Sequence, residues 1–282
     1  MIGSVFSPYY AWARRRGLGD PTHFCALNVA LYGKDRTAWA MTERGRGQLQ
    51  RSARTLAIGP SRVEWDGSAL TFHIDERGAP LPKRIRGVVR VQPQTLTQGP
   101  IDLDPAGRHR WWPIAPEARV EVRLEHPALR WSGAGYLDSN SGDEPLEAGF
   151  RQWDWSRSKL RQGAAVLYDM TFIDGSRRAL ALRFDGHGNS EAFEPPPSTR
   201  LPNTFWWRIP RAIQSEANGH TKILETLEDT PFYARSTVNA QLLGEPVIAF
   251  HESLALTRFD TRWAQMLLPF RMPRITANHQ GR

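Results

Sequence analysis

Seven consecutive residues, Ala118-Arg-Val-Glu-Val-Arg-Leu124, alternate without a fault, with apolar side chains at even positions and charged ones at odd positions. Successive side chains of a β-strand point to opposite faces, so this run predicts a strand with one face buried and the other wet. The same style recurs along the chain. Ser61–Trp65 and Ala69–Ile74 flank Asp66-Gly67, a strong short-range hairpin signal. Phe24–Tyr32 and Thr37–Thr42 flank the turn-like Gly33-Lys-Asp-Arg36, and Ala165–Phe172 and Arg178–Phe184 flank Asp174-Gly175. Ile85–Val91 alternates in part, and further strands are predicted over 222–228, 232–243 and 247–257. Long helical periodicity is scarce: a short helix is expected within Thr42–Thr55, and a turn or short helix within Gly149–Arg157. Many short strands with frequent turn signals predict an all-β chain of antiparallel sandwich or barrel domains with few short helices.

A length of 282 residues suggests about two domains. No composition shift marks a clean boundary. It is placed within Gly149–Gln162, where the strand patterning pauses, and the Pro195-Pro-Pro-Ser-Thr199 run reads as a stiff loop inside the second half. The single cysteine, Cys25, excludes an intramolecular disulfide and a cysteine-based zinc cluster. Mean hydropathy is −0.51, and no run approaches the ~18–20 apolar residues of a membrane span. The N-terminus shows no basic segment followed by an apolar one, so no signal peptide is expected and a cytoplasmic location fits. The net charge of +8 favours nucleic acid or an anionic membrane surface as partner. The basic clusters are short, and no zinc-finger, RNP-like or helix-turn-helix signature accompanies them, so nucleic acid is not expected. Eleven Trp and twelve Phe beside that charge fit a peripheral membrane protein.

Two pairs of residues carry the chemistry. Tyr136 and Asp138 stand two positions apart, as do His109 and Trp111 within Arg108-His-Arg-Trp-Trp-Pro113. On strands, each pair projects onto one face with roughly 6–7 Å between partners. Facing one cavity, they supply an acid, a phenol, an imidazole and an indole, a set suited to proton chemistry on an apolar molecule. The residues alone leave plainer roles open. Asp138 before Ser139-Asn-Ser-Gly142 fits a turn aspartate, Tyr136 and Trp111 fit core aromatics, and His109 between two arginines fits the surface. Asp143, Glu144 and Glu147 read as loop charges or partners for Arg151 or Arg157, with Glu147 a reserve acid. Asp154, between Trp153 and Trp155, is expected to fix a domain interface, and Arg44 and Arg46 to have structural partners.

Several longer motifs resemble those of the carotenoid 1,2-hydratases (hydroxyneurosporene synthases) of phototrophic bacteria. They are Gly3-Ser-Val-Phe-Ser-Pro-Tyr-Tyr10, Asp20-Pro21, Cys25-Ala-Leu-Asn-Val-Ala-Leu-Tyr-Gly33, Met41-Thr-Glu-Arg-Gly-Arg46, Gly59-Pro-Ser-Arg62, Trp65-Asp-Gly67 and the segment Tyr136–Arg157. They cover roughly the first 160 residues densely. One departure is visible: Phe24 stands before Cys25, where the family usually has His, and His23 comes one earlier. The resemblance implies two lipocalin-like β-barrel domains, taken here as 1–155 carrying the site and 156–282. It implies cofactor-free addition of water to the terminal 1,2 double bond of an acyclic carotenoid such as neurosporene or lycopene. It places Asp138 and Tyr136 in the family's Tyr-x-Asp motif, with Asp138 the catalytic aspartate, and His109 and Trp111 in its His-x-Trp. In the expected chemistry Asp138 donates the proton, Tyr136 and Trp111 face the developing cation, and His109 holds the attacking water, either taking its proton as a base or only orienting it. A barrel that binds pigment unchanged and a cofactor-free pericyclase on the same fold are the alternatives.

Overall fold

A computed structural model describes residues 3, 6–33, 37–216 and 221–276. The Gly33–Arg36 turn expected from the sequence therefore lies mostly outside the described residues, as does part of the Gly3–Tyr10 motif. A helix α1 (Pro8–Arg14) precedes β1 (Cys25–Leu31), β2 (Ala38–Arg44), β3 (Leu49–Arg51), β4 (Thr55–Ile58), β5 (Ser61–Trp65), β6 (Leu70–Arg77) and β7 (Arg84–Pro93). Then come β8 (Ile101–Asp102), β9 (His109–His126), β10 (Leu129–Gly142), the one-turn α2 (Leu146–Gly149), β11 (Phe150–Lys159), β12 (Ala164–Phe172), β13 (Arg177–Phe184), β14 (Ser190–Ala192), β15 (Ser198–Leu201) and β16 (Arg211–Gln214). The chain finishes with β17 (Lys222–Asp229), β18 (Tyr233–Leu242), β19 (Glu245–Ala255), α3 (Leu256–Phe259), α4 (Arg262–Leu267) and β20 (Arg274–Ile275). The molecule is all-β and its sheets are antiparallel, apart from the two-residue parallel pairing of β2 with β20. No helix among the described residues is long and apolar enough to cross a membrane.

The chain packs as two units, one of 1–93, 118–135 and 265–282, the other of 94–117 and 136–264. The long strands β9 and β10 each contribute residues to both.

In the first unit the alternating run behaves as its pattern dictates. Val122 and Leu124 are buried with Ala40, Ile74 and Ile85, while Arg119 and Arg123 are exposed. The Asp66-Gly67 turn joins β5 to β6: Asp66 Oδ1 accepts from Ser68 N and Ala69 N at 2.8 Å each, and Gly67 takes φ 99°. On β6, Glu76 lies two residues beyond Ile74 and is buried with it. Its carboxylate accepts from Arg44 Nη1 at 3.2 Å, Arg44 Nη2 at 2.8 Å and Ser61 Oγ at 2.7 Å. Burial pushes the Glu76 carboxyl up and the Arg44 guanidinium opposes it. Gly59 makes room for this pair, since at φ 60° a Cβ there would stand 2.2 Å from Arg44 Nε. Arg46 meets Asp20 at 3.5 Å, so both arginines have partners. Where a short helix was expected within Thr42–Thr55, only a single 3₁₀ turn, Arg46–Gln48, interrupts strand.

The second unit is built on the sheet β14–β13–β12–β11–β19–β18–β17. The segment expected to be a turn or short helix is instead β11, paired with β12 on one side and β19 on the other. Trp153-Asp154-Trp155-Ser156 alternates apolar with polar, but both faces of the strand are buried, so its polar residues are enclosed as well. Ser156 and Ser158 lie opposite Leu167 and Ala165, on the face where Val238, Ala249, Leu201 and Ile213 cluster. Trp153 and Trp155 point to the other face, toward Met170 and Tyr168. A central strand satisfies its backbone on both sides and can carry bulky residues on either face.

Candidate active site

Two of the elements above bring three of the four singled-out side chains together. Trp111 comes from β9, Tyr136 and Asp138 from β10, the neighbouring strand. Trp111 is wholly buried, its ring set edge-on to Tyr168 at 5.0 Å and Phe184 at 6.4 Å between centroids. That packing fixes where its indole N–H points. Trp111 Nε1 donates to Asp138 Oδ2 at 3.0 Å and to the Tyr136 hydroxyl oxygen at 3.2 Å. The Tyr136 hydroxyl donates in turn to the same Oδ2 at 3.0 Å. The three groups form a closed triangle on one carboxylate oxygen. Among the described residues no hydrogen bond from another residue falls on Oδ1.

The surroundings set the charge state. Asp138 keeps partial solvent access, but dense packing strips most of the hydration an anion would need. Burial raises its pKa to about 6; the bonds from Trp111 and Tyr136 pull the other way, and the Glu252 carboxylate adds to the rise. Burial likewise holds the Tyr136 and Tyr168 phenols well above their ordinary value, so both are neutral at any physiological pH. Glu252 is paired with Arg235 at 2.7 Å. Tyr136 is flanked by the Trp155 ring at 5.7 Å and by the Arg157 guanidinium, 5.4 Å from its centroid. Arg157 Nη2 donates to the Pro116 carbonyl at 2.8 Å.

His109 is buried but faces elsewhere. Its backbone N–H donates to Asp104 Oδ2 at 2.6 Å, its Nε2 lies 3.3 Å from Glu144 Oε1, and its ring meets Phe150 at 4.8 Å. Gly142 and Gly149 close over the ring edge: a Cβ on either would come within 3.0 Å of a ring nitrogen. Asp143 and Glu144 find other partners than those expected. Asp143 pairs with Arg110 at 2.8 Å and Glu144 with Arg108 at 2.9 Å, whereas Arg151 donates to the Ile173 carbonyl. Asp154 belongs to the opposite face of β11. It accepts from Ser253 Oγ at 2.5 Å and Gln152 Nε2 at 2.8 Å, both within the second unit, so its bonds brace this sheet and no domain interface.

Sequence reasoning missed Trp155, Arg157, Tyr168 and Phe184, which wall the triangle. The Trp153-x-Trp155-x-Arg157 spacing was the available signal, one face of a strand that reads as a turn. Among the described residues no group of three His, Cys, Asp or Glu side chains is placed to hold a metal ion.

The family model described as Carotenoid hydratase CrtC matches residues 1–280. The acyclic carotenoid 1,2-hydratase of Thiocapsa roseopersicina is 58% identical over 275 residues, 98% of this chain and 68% of that protein. The protein of the same name from Rubrivivax gelatinosus is 50% identical over 97% of this chain and 68% of its own length, and that from Cereibacter sphaeroides 38% identical over 97% and 96%. Among solved structures, a protein described as a candidate AttH from Nitrosomonas europaea is similar with a TM-score of 0.57 at 15% identity, over 78% of this chain and 76% of that one. That last likeness concerns the fold alone.

Proposed function

The chain belongs to the carotenoid hydratase family and is a hydro-lyase, and from that premise we propose that it adds water to the terminal C1–C2 double bond of acyclic carotenoids with Asp138 as the acid. The observation that carries this reading is the triangle on Asp138 Oδ2 within an aromatic surround. Hydrating an isolated trisubstituted alkene requires a proton at C2, which puts the developing cation at the tertiary carbon C1. A carboxyl at its ordinary value of about 3.9 would be ionised at neutral pH and unable to donate. With a pKa of about 6, roughly a tenth of Asp138 is protonated at pH 7. A bound hydrocarbon excludes more water and raises that fraction.

In the proposed sequence the proton leaves Oδ1, the oxygen with no neighbouring donor. The resulting carboxylate gains strength in its two bonds from Trp111 and Tyr136, since hydrogen bonds to an anion are stronger than to a neutral acceptor. The electron-rich ring of Tyr136, the part-exposed member of the triangle, stabilises the cation at C1 by about 2 kcal/mol where water is excluded, while the buried Trp111 acts through its bond to the carboxylate. Water attacks C1 and its proton returns to the Asp138 carboxylate, which leaves a tertiary alcohol and regenerates the acid. The geometry supports Asp138 for this second transfer over His109, whose ring nitrogens lie against Glu144, Gly142 and Gly149. We assign His109 a positioning part, holding the 142–149 segment against β9.

The test is turnover in heavy water. Lycopene dispersed in detergent should yield a product heavier by one water with a single deuterium at C2. Bound but unchanged pigment would point to a carrier instead, and a hydrated product without deuterium at C2 would exclude protonation there.

A further inference from the structure

The loop 202–210 of the second unit displays its aromatic side chains outward. Phe205 and Trp206 are 79% and 78% exposed, and their rings meet edge-on at 5.0 Å. Singly exposed apolar residues are ordinary and need no cause. This pair is different because the backbone beneath it is held in place. Asp229 Oδ2 accepts from Trp206 N at 2.7 Å and Asp229 Oδ1 from Trp207 N at 3.3 Å. Thr204, fully buried, bonds Ile209 in both directions, at 3.1 and 2.8 Å. Arg211 donates to the Pro202 carbonyl at 2.9 and 2.7 Å, and Arg258 to the Trp207 carbonyl. Arg208 takes φ 53°, a conformation that costs a non-glycine residue energy. A braced, locally strained loop that presents two large aromatics to water is built for a partner.

The charges beside it indicate which partner. Arg208 follows Trp207 in the chain. Arg262 precedes Trp263, whose ring stacks on Trp207 at 6.1 Å with planes 17° apart. Both arginines are exposed, and neither has an ion-pair partner among the described residues. Asp229, the carboxylate that holds the loop, is occupied by backbone N–H groups. Exposed indole and phenyl rings next to uncompensated guanidinium groups match the interface of a lipid bilayer, where rings settle at the headgroup level and cations meet anionic lipid.

We propose that the Phe205–Trp206 loop, with Arg208 and Arg262, is the surface by which this protein docks on an anionic lipid bilayer. The proposal deepens the functional reading and rests on it for its purpose, since an acyclic carotenoid dissolves in the bilayer and must be taken from there. Co-sedimentation with phosphatidylglycerol/phosphatidylcholine vesicles lacking carotenoid measures docking by itself. Phe205→Ala/Trp206→Ala should lower the partition coefficient roughly 10- to 100-fold. Arg208→Gln/Arg262→Gln should lower it roughly 25-fold on anionic vesicles and little on zwitterionic ones. Quenching of tryptophan fluorescence by brominated acyl chains should fall in the aromatic variant. Unchanged partitioning of the Phe205→Ala/Trp206→Ala protein overturns the proposal. So does a change confined to self-association in sedimentation velocity, which would make a second copy of the chain the occupant. Turnover of detergent-dispersed lycopene separates the two claims. Loop variants should retain it while losing turnover of vesicle-embedded lycopene. Absence of turnover in the parent protein in detergent counts against the functional reading, with vesicle binding still deciding the docking.

Discussion

Replacing Asp138 by Asn tests the proposed acid by a route independent of turnover. The native carboxyl has a folded pKa of about 6 against an ordinary 3.8. Between those values the folded protein holds a proton that the unfolded chain releases, so ionising Asp138 in place costs stability. The stabilising, protonated state is complete below about pH 4 and is lost as pH rises through about 6. Two pKa units correspond to about 3 kcal/mol, an upper figure because partial solvent access relaxes the penalty. Asn has the same shape, cannot ionise, and its carbonyl still accepts from Trp111 Nε1 and the Tyr136 hydroxyl. Asp138→Asn should therefore be more stable than the parent at pH 8 by up to about 3 kcal/mol, or roughly 6–12 °C in Tm for a chain of this size. At pH 4.5 the gain should shrink to about 1 kcal/mol. Urea unfolding followed by circular dichroism at both pH values measures it, beside chromatographic assay of lycopene hydration, which should be abolished throughout. A stability gain equal at the two pH values, or a loss at pH 8, would refute the buried, raised-pKa carboxyl. Retained turnover would refute its role as acid.

Two further substitutions separate the functions of neighbouring groups. Tyr136→Phe removes one donor to the carboxylate, which should slow turnover roughly 10- to 100-fold, the worth of a hydrogen bond to a charged acceptor. Because that bond lowers the Asp138 pKa, the alkaline limb of the pH–rate profile should move up, a shift that a purely structural defect would not produce. Asp154→Asn removes the carboxyl that burial raises to about 7. It should make the protein more stable above pH 8 than the parent and leave turnover intact, as thermal melts and the hydration assay will show.

How far the sequence revealed the architecture depended on which faces of each strand are wet. Ala118–Leu124 was legible because water bathes Arg119 and Arg123 while Val122 and Leu124 are buried. The same strand runs back to His109, which the alternation did not show: Trp111, Pro113, Ala115 and Pro116 are all buried. Phe150–Lys159 escaped for a related reason. Its apolar–polar alternation runs only from Trp153 to Ser156 before Arg157 breaks it, and the polar Asp154, Ser156 and Ser158 are buried like the tryptophans beside them, a short pattern at odds with a half-buried strand. At the site, the two-residue spacings and the family resemblance picked out Trp111, Tyr136 and Asp138. They gave no sign that His109 would turn to Glu144, because Glu144 and the glycines at 142 and 149, which enclose that ring, lie more than thirty residues away in the chain. The Arg157–Tyr136 contact was equally invisible, since it joins two strands, while the nearby acids offered Arg157 plainer partners along the chain.

The structure holds several acids that burial pushes upward, and the comparison among them supports Asp138 as the proposed proton donor. Glu43, Glu76 and Asp154 are all raised, as Asp138 is. Glu43 is wholly enclosed and bonded to Arg274, and Glu76 is bonded by Arg44 and Ser61. Each guanidinium favours the carboxylate, and neither acid can reach a substrate. Asp154 is buried with donors on both oxygens, Ser253 on Oδ1 and Gln152 on Oδ2. An acid catalyst must be neutral before reaction, reachable, and stabilised once it has lost its proton. Asp138 fits the proposed part best of the four: its raised pKa keeps a fraction of it neutral with no cation among the described residues paired to it, it retains partial solvent access, and both donors converge on Oδ2 while Oδ1 receives none from a neighbour. Neutral donors on one oxygen hold the anion without forbidding the acid, as a guanidinium would tend to do. On the proposed mechanism the two oxygens of one carboxyl divide the labour, which accords with an indole and a phenol, rather than a cation, beside it.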